Sequence, residues 1–272
     1  MAITLSLHTP TTIPLEVEGL TPELVRDKSL AELEKFEIFH GNVKSPLADF
    51  FSVVGDPSDE TIVFAGEMSG VHWIGTKMQS GTIRVEGNAG RHVGSMMRGG
   101  EIHVTGNVGD WVGGEMKGGL IHVRGRAGHQ VGAAYRGSPK GMRKGTILIH
   151  GDAGNEIGHT MRRGLIAIGG NVGDFVGFNM LAGTILIGGE PGIRHGAGMK
   201  RGTIGFLGAH RPVMLPSFRR SCQFRPPFLA LLYRELVRRE FPVPESALAS
   251  RYDLYCGDLI EGGRGEILMR AA

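Results

Sequence analysis

The stretch Gly81-Thr82-Ile83-Arg84-Val85-Glu86-Gly87-Asn88-Ala89-Gly90-Arg91-His92-Val93-Gly94-Ser95-Met96-Met97 decides the architecture. It recurs, with the same spacing of glycines, from Gly100 and from Gly119, each 19 residues on. Gly145, Gly164, Gly183 and Gly202 continue the series after one interval of 26. A fixed period of this length is the mark of stacked repeats. Counting the first glycine as position 0, position +2 is isoleucine in all seven units, from Ile83 to Ile204. Position +4 is Val85, Val104, Val123, Ile149, Ile168, Ile187 and Phe206. Apolar residues two apart read as a strand, and β-branched side chains suit a pleated, packed surface.

One such unit has too few apolar residues for a core. Stacking the units about 4.8 Å apart sets each column over itself, and each Ile or Val is then worth very roughly 1.5–3 kcal/mol of burial. The fold expected is all-β, a right-handed parallel β-helix with coils of about 19 residues. Glycines supply the corners, and Asn88, Asn107, Asp152 and Asn171 at position +7 fit turns. Position +12 carries Val93, Val112, Val131, Ile157 and Val176, then His195, which is expected to be a hydrogen-bonded buried histidine. Position +16 is Met97, Met116, Tyr135, Met161, Met180 and Met199. The corner acids Asp110 and Asp174 do not recur regularly enough for a calcium-binding nonapeptide solenoid.

Three parts follow from composition. Residues 61–210 form the glycine-repeat stack, opening with a degenerate unit at Thr61–Ala65. Residues 1–60 do not repeat; strands at Ile3–Leu7 and Leu15–Val17, a helix start at Thr21-Pro22 and a strand at Phe50–Gly55 would cap one end. Residues 211–272 form an extension: an irregular basic run at Leu215–Pro227, an amphipathic helix at Phe228–Arg239, and a hairpin of Tyr252–Leu259 with Glu266–Met269. The long unit holds a seven-residue insertion, Arg136–Met142, read as a corner bulge that serves as a contact loop or a plain surface loop.

The net charge of +3 makes no case for nucleic acid. No apolar run approaches the ~20 residues of a membrane span, and the start MAITLSLHTP is not built like a secretion signal. A cytoplasmic protein is expected. Cys222 and Cys256 read as free thiols. No nucleophile elbow, P-loop or HExxH occurs, so no catalytic residue is assigned. His103 and His122 share position +3 and are expected to stack on the outer face as an exposed polar ladder. A metal could bridge them, but no third ligand recurs, and no metal site is assigned.

One column carries a functional signal. The residues just before position 0 are Arg98, Lys117, Arg143-Lys144, Arg162-Arg163 and Lys200-Arg201, interrupted at Gln79-Ser80 and Leu181-Ala182. Stacking turns them into a row of positive charge suited to an extended polyanion; solvated turns or pairing with acids would use the same residues.

Together these features resemble the GXGXG-repeat domain found in the large chain of glutamate synthase and in the C-subunit of formylmethanofuran dehydrogenase. The segments FHGNVKSPLADFFSVVG (39–55) and YCGDLIEGGRGEILM (255–269) resemble the free-standing C-subunit. LPSFRRSCQFRPPFLALLYREL (215–236) is most similar to its counterpart in the bacterial formyltransferase/hydrolase complex. The resemblance covers nearly the whole chain. It implies a non-catalytic structural C-subunit of a complex that moves a formyl group from formyl-tetrahydromethanopterin to a methanofuran-like carrier and releases formate in formaldehyde oxidation. Its partners would be a formyltransferase subunit, an amidohydrolase-like hydrolase subunit and a dehydrogenase-B-like subunit, with the carrier and the catalytic metal on those partners. The carrier bears a glutamate-rich tail, so Arg98, Lys117, Arg143, Lys144, Arg162 and Arg163 become candidates for holding that tail or an acidic partner surface. The alternatives are the C-subunit of a molybdenum or tungsten formylmethanofuran dehydrogenase, and an independent solenoid that binds polyanions or glycans.

Overall fold

The computed structural model describes residues 2–9 and 11–271. The strands in chain order are β1 (Ile3–Leu7), β2 (Leu15–Glu16), β3 (Glu37–His40), β4 (Val43–Pro46), β5 (Phe51–Val54), β6 (Thr61–Ala65), β7 (Val71–His72), β8 (Thr82–Glu86), β9 (Glu101–Val104), β10 (Leu120–Val123), β11 (Thr146–Ile149), β12 (Leu165–Ile168), β13 (Thr184–Ile187), β14 (Gly202–Phe206), β15 (Arg219–Phe224), β16 (Tyr252–Gly257) and β17 (Gly265–Arg270). The α-helices are α1 (Pro22–Val25), α2 (Leu30–Glu34), α3 (Pro227–Arg238) and α4 (Glu245–Ala249). The chain is therefore all-β in class. Among the described residues, one sheet runs β15-β16-β17-β14-β13-β12-β11-β10-β9-β8-β6-β1-β5 and a smaller one β4-β3-β2-β7.

From β8 to β14 the strands pair in parallel with the register of the repeat: Ile83, Ile102, Ile121, Ile147, Ile166, Ile185 and Ile204 lie over one another. All seven are fully buried. The column continues at Ile62 in β6 and at Ile267 in β17. The flanks thus extend the stack at both ends, and antiparallel β5 and β15 form its edges. Exposed Arg219 and Arg220 stand on the β15 edge, where charge discourages pairing with another sheet.

Position +7 has a more specific task than forming turns. The Oδ1 of Asn88 accepts the Asn107 N–H at 2.8 Å, and that of Asn107 accepts the Arg126 N–H at 2.9 Å. Asp152 and Asn171 do the same for Asn171 and Glu190. A second ladder runs through Asp110, His129, Asn155 and Asp174. Each acceptor satisfies a corner N–H of the next coil, worth about 1 kcal/mol net. The corner acids are explained by this ladder. Glycine makes room for it: a Cβ on Gly173 would lie 1.9 Å from the Asn155 Oδ1.

Four expectations need correction. Met142, not Tyr135, occupies the buried methionine column: it is fully buried, and its N–H bonds the Gly132 carbonyl as that of Met116 bonds Gly113. The inserted residues are therefore 135–141, and Tyr135 is expelled to the outer corner. His122 is not exposed; only 5% of it is accessible. It does lie beside His103 in register, with ring centroids 5.9 Å apart and the planes tilted by 52°, but the extension folds back over the position +3 column. There α3 and the residues after it bring Leu229, Tyr233, Leu236 and Phe241 onto Leu148, Ala167 and Leu186 as a second core. Leu229, Tyr233 and Leu236 share one helix face by their spacing of four and three. The basic run also contains a strand, β15, and residues 37–46 form an unforeseen hairpin, β3-β4. These lack the repeat period that made the other strands legible.

His195 is buried as expected. Its Nδ1 accepts the Val176 N–H at 3.3 Å, and burial lowers its pKa. Cys222 and Cys256 are free.

Candidate functional site

The first basic residue that each coil gives to the candidate column is placed by a backbone hydrogen bond to the methionine of the coil before. The N–H groups of Arg98, Lys117 and Arg143 reach the carbonyls of Met78, Met97 and Met116 at 2.7 Å, and that of Arg162 reaches Met142 at 2.8 Å. Leu181 and Lys200 repeat the bond to Met161 and Met180 at 2.8 Å. The methionines are fully buried, so the next side chain in each coil must point outward. Lys144 and Arg163 add a second basic row beside Arg143 and Arg162. All six candidates thus lie along one edge, on successive coils. None pairs with a carboxylate among the described residues. Elsewhere arginines are engaged: Arg220 and Arg211 hold the buried Asp253 at 2.7 and 2.6 Å, and those hydrogen bonds, Arg220's first, lower its carboxyl to about 2.

At its C-terminal end the column meets the β16-β17 hairpin. There a recess of about 350 Å³ is lined by Arg162, Arg163, Leu181, Ala182, Lys200, Arg201, Glu261 and Arg264. Arg264 was not foreseeable from the repeat, because only the fold-back of the hairpin brings it there.

A second cluster lies at another corner. Trp73, His92 and Trp111 stack on successive coils, with centroids 3.9 and 5.5 Å apart. The hydroxyl of the expelled Tyr135 contacts Ser95 Oγ at 2.7 Å and His92 Nδ1 at 3.0 Å. Aligning position +11 across units shows this aromatic run in the sequence; its contact with Tyr135 needs the insertion.

The histidines suggest acid sensitivity. His122 Nε2 lies 2.7 Å from His150 Nε2, beside Arg124 and the Arg124–Glu240 pair. Burial first, then nearby cations, lowers His122 and His92 to about 4, and burial lowers His150. The unfolded chain takes up protons below about 6.5, whereas the folded rings do not until about 4. Stability is thus fully present above about 6.5 and is lost as pH falls towards about 4. The urea midpoint is expected to drop across that window, and less steeply in His122→Asn; an identical pH slope in the variant would contradict the assignment. Among the described residues no group of three or more His, Cys, Asp or Glu is arranged to hold a metal. Among the described residues no helix is long and apolar enough to cross a membrane.

No family model matches the chain. Among curated proteins, it is 42% identical over 79 residues to the C-subunit of the molybdenum-containing formylmethanofuran dehydrogenase 1 of Methanothermobacter thermautotrophicus, covering 29% of this chain and 20% of that one. It is 40% identical over 85 residues to the C-subunit of the tungsten-containing formylmethanofuran dehydrogenase 2 of the same organism, covering 30% and 32%. The chain thus spans only a fifth to a third of those relatives. A chain in the crystal structure of the formyltransferase/hydrolase complex from Methylorubrum extorquens, solved with methylofuran, is similar from end to end: TM-score 0.90 and 31% identity over 99% of this chain and 100% of that one. The chain belongs to the C-subunit family of formylmethanofuran dehydrogenase. In this member of the C-subunit family, the basic column, the aromatic corner and the histidine seam lie on three different faces of the repeat unit, at positions +17 and +18, +11, and +3.

Proposed function

We propose that this chain is the non-catalytic, structural C-subunit of a formyltransferase/hydrolase complex. Such a complex takes a formyl group from formyl-tetrahydromethanopterin onto a methanofuran-like carrier and releases it as formate. The observation that carries the reading is the end-to-end likeness to a chain of a complex solved with methylofuran. The matches to the dehydrogenase subunits extend over only about 30% of the chain, which favours the bacterial complex. The partners are then a formyltransferase subunit, an amidohydrolase-like hydrolase subunit and a dehydrogenase-B-like subunit, in the cytoplasm, and the catalytic metal belongs to them.

In this reading the coils at 61–210 wind as a right-handed β-helix, the hand that parallel crossovers adopt almost always. Residues 1–60 cap it, and 211–272 cover its outer face. Arg98, Lys117, Arg143, Lys144, Arg162 and Arg163 hold the acidic tail of the carrier or an acidic partner surface. The absence of carboxylate partners for these cations among the described residues supports it. The purified lone chain is expected to show no formyl transfer or hydrolysis. Turnover by that chain would overturn the structural role, and a partner carrying molybdopterin and iron–sulfur clusters would point to the dehydrogenase.

A further inference from the structure

We infer that the cavity under the inserted loop binds a small zwitterion carrying an alkylated ammonium and a carboxylate. It lies at the aromatic corner rather than on the basic column, and its volume is about 580 Å³. Its walls include Trp111, Tyr135, Arg136, Glu156 and His159. The cavity exists because of the insertion: other coils run straight from position +15 to the buried methionine, whereas residues 135–141 loop out before Met142. The next coil fixes both stems of the loop. The Ala134 N–H reaches the His159 carbonyl at 3.2 Å, and the Gly141 N–H reaches that of Thr160 at 3.0 Å. Between the stems there is room at the mouth, since a Cβ on Gly137 would meet nothing within 4 Å. The walls are also held: Tyr135 by Ser95 and His92, and His159 by stacking on Phe178 at 5.2 Å between centroids. A site ordered in advance loses less on binding.

Two opposite charges line this cavity without neutralising each other. Glu156 accepts the Gln130 side-chain amide at 3.0 Å and lies 3.8 Å from His159 Nδ1. Among the described residues no lysine or arginine pairs with Glu156, and no carboxylate pairs with Arg136. Unpaired charges of both signs in one cavity match a ligand that carries both. A carboxylate suits the guanidinium fork of Arg136. The rings of Trp111 and Tyr135 beside Glu156 suit a cation, because the faces of aromatic rings attract positive charge. Those rings are poor acceptors of N–H hydrogen bonds, and one Glu156 oxygen is already engaged by Gln130. A primary ammonium would leave N–H groups unmatched there. An ammonium whose nitrogen carries alkyl groups has none to match and places its carbons against the rings.

The test is binding of glycine betaine to the full chain, by calorimetry and tryptophan fluorescence. The chain has two tryptophans, so Trp73→Phe leaves Trp111 as the reporter. Saturable binding with a change in Trp111 emission is expected. Glycine, whose ammonium is unalkylated, and tetramethylammonium, which has no carboxylate, are each expected to bind at least about fivefold more weakly. Glu156→Gln and Arg136→Gln should each weaken glycine betaine about fivefold, and Arg225→Ser, exposed on the extension, should leave it within about twofold. Deleting residues 135–141 joins Ala134 to Met142 and restores a coil of 19 residues. That variant is expected to keep the circular dichroism of the stack and to lose binding. The two point variants carry the test if the deletion does not fold. No saturable binding of glycine betaine overturns the site, as does undiminished binding in a folded deletion variant or in both point variants. Glycine binding as tightly as glycine betaine overturns the alkylated ammonium. Tetramethylammonium binding as tightly overturns the carboxylate contact.

Discussion

Ile147→Ala is expected to destabilise the folded chain by about 2–5 kcal/mol, the range for deleting a buried aliphatic side chain without collapse of the cavity. Ile147 is fully buried between Ile121 and Ile166 on β10 and β12. A Cβ on Gly113 would come within 2.4 Å of its Cδ1. The side chain therefore fills the space that the glycine, with a φ of 61°, leaves open. Alanine would empty that space in the middle of the stack, where the backbone ladders on both sides prevent the coils from closing in. In a repeat structure the loss falls on the interfaces with both neighbouring coils. Urea denaturation followed by circular dichroism gives the measurement, with Leu231→Ala, on the exposed side of α3, expected within about 0.5 kcal/mol of the unaltered chain. A loss below about 1 kcal/mol for Ile147→Ala would contradict the columnar core.

Replacing Arg143, Lys144, Arg162 and Arg163 together by glutamate is expected to have a comparably large effect on function. It turns four neighbouring positive charges into four negative ones, on two successive coils. An edge that holds an acidic tail or an acidic partner surface would then repel it. Carrier binding or assembly is expected to weaken by at least about tenfold, since like charges brought face to face cost several kcal/mol, and the effect should shrink with added salt. The fold should survive, because the four side chains are exposed. A reconstituted complex of the variant that assembles and turns over normally would remove the basic column from the function.

The periodic part of the molecule was legible in the sequence for a physical reason. Ile83 to Ile204 repeat because each sits on its equivalent in the next coil, so one spacing specifies strand, register and core. The basic column was legible for the same reason, since the backbone bond to each buried methionine sends the next residue outward. Contacts made across the stack were not. Nothing in the spacing of His103 and His122 shows that Arg238, Arg239 and Glu240 will come beside His122, or that Phe241 will pack on His150. The glycine count alone placed Tyr135 in the methionine column, whereas packing selected Met142, which fits the buried slot without a hydroxyl to satisfy. Arg264 reaches the recess because β17 pairs with β14 in the register of the stack, although it lies outside the regular spacing of the glycines. The Asn and Asp ladders lie between these cases: their positions were visible, and their task, capping N–H groups of the next coil, needed the geometry.

The structural role within a larger assembly is best tested by purifying the native complex through a tag on this chain. Formyl transfer and hydrolysis are then measured on the assembly and on the chain alone. The chain is expected to bring with it a formyltransferase subunit and an amidohydrolase-like subunit. The assembly should form formate from formyl-tetrahydromethanopterin, and the chain alone should do neither step. A chain that purifies without partners, or that turns over substrate alone, would contradict the role.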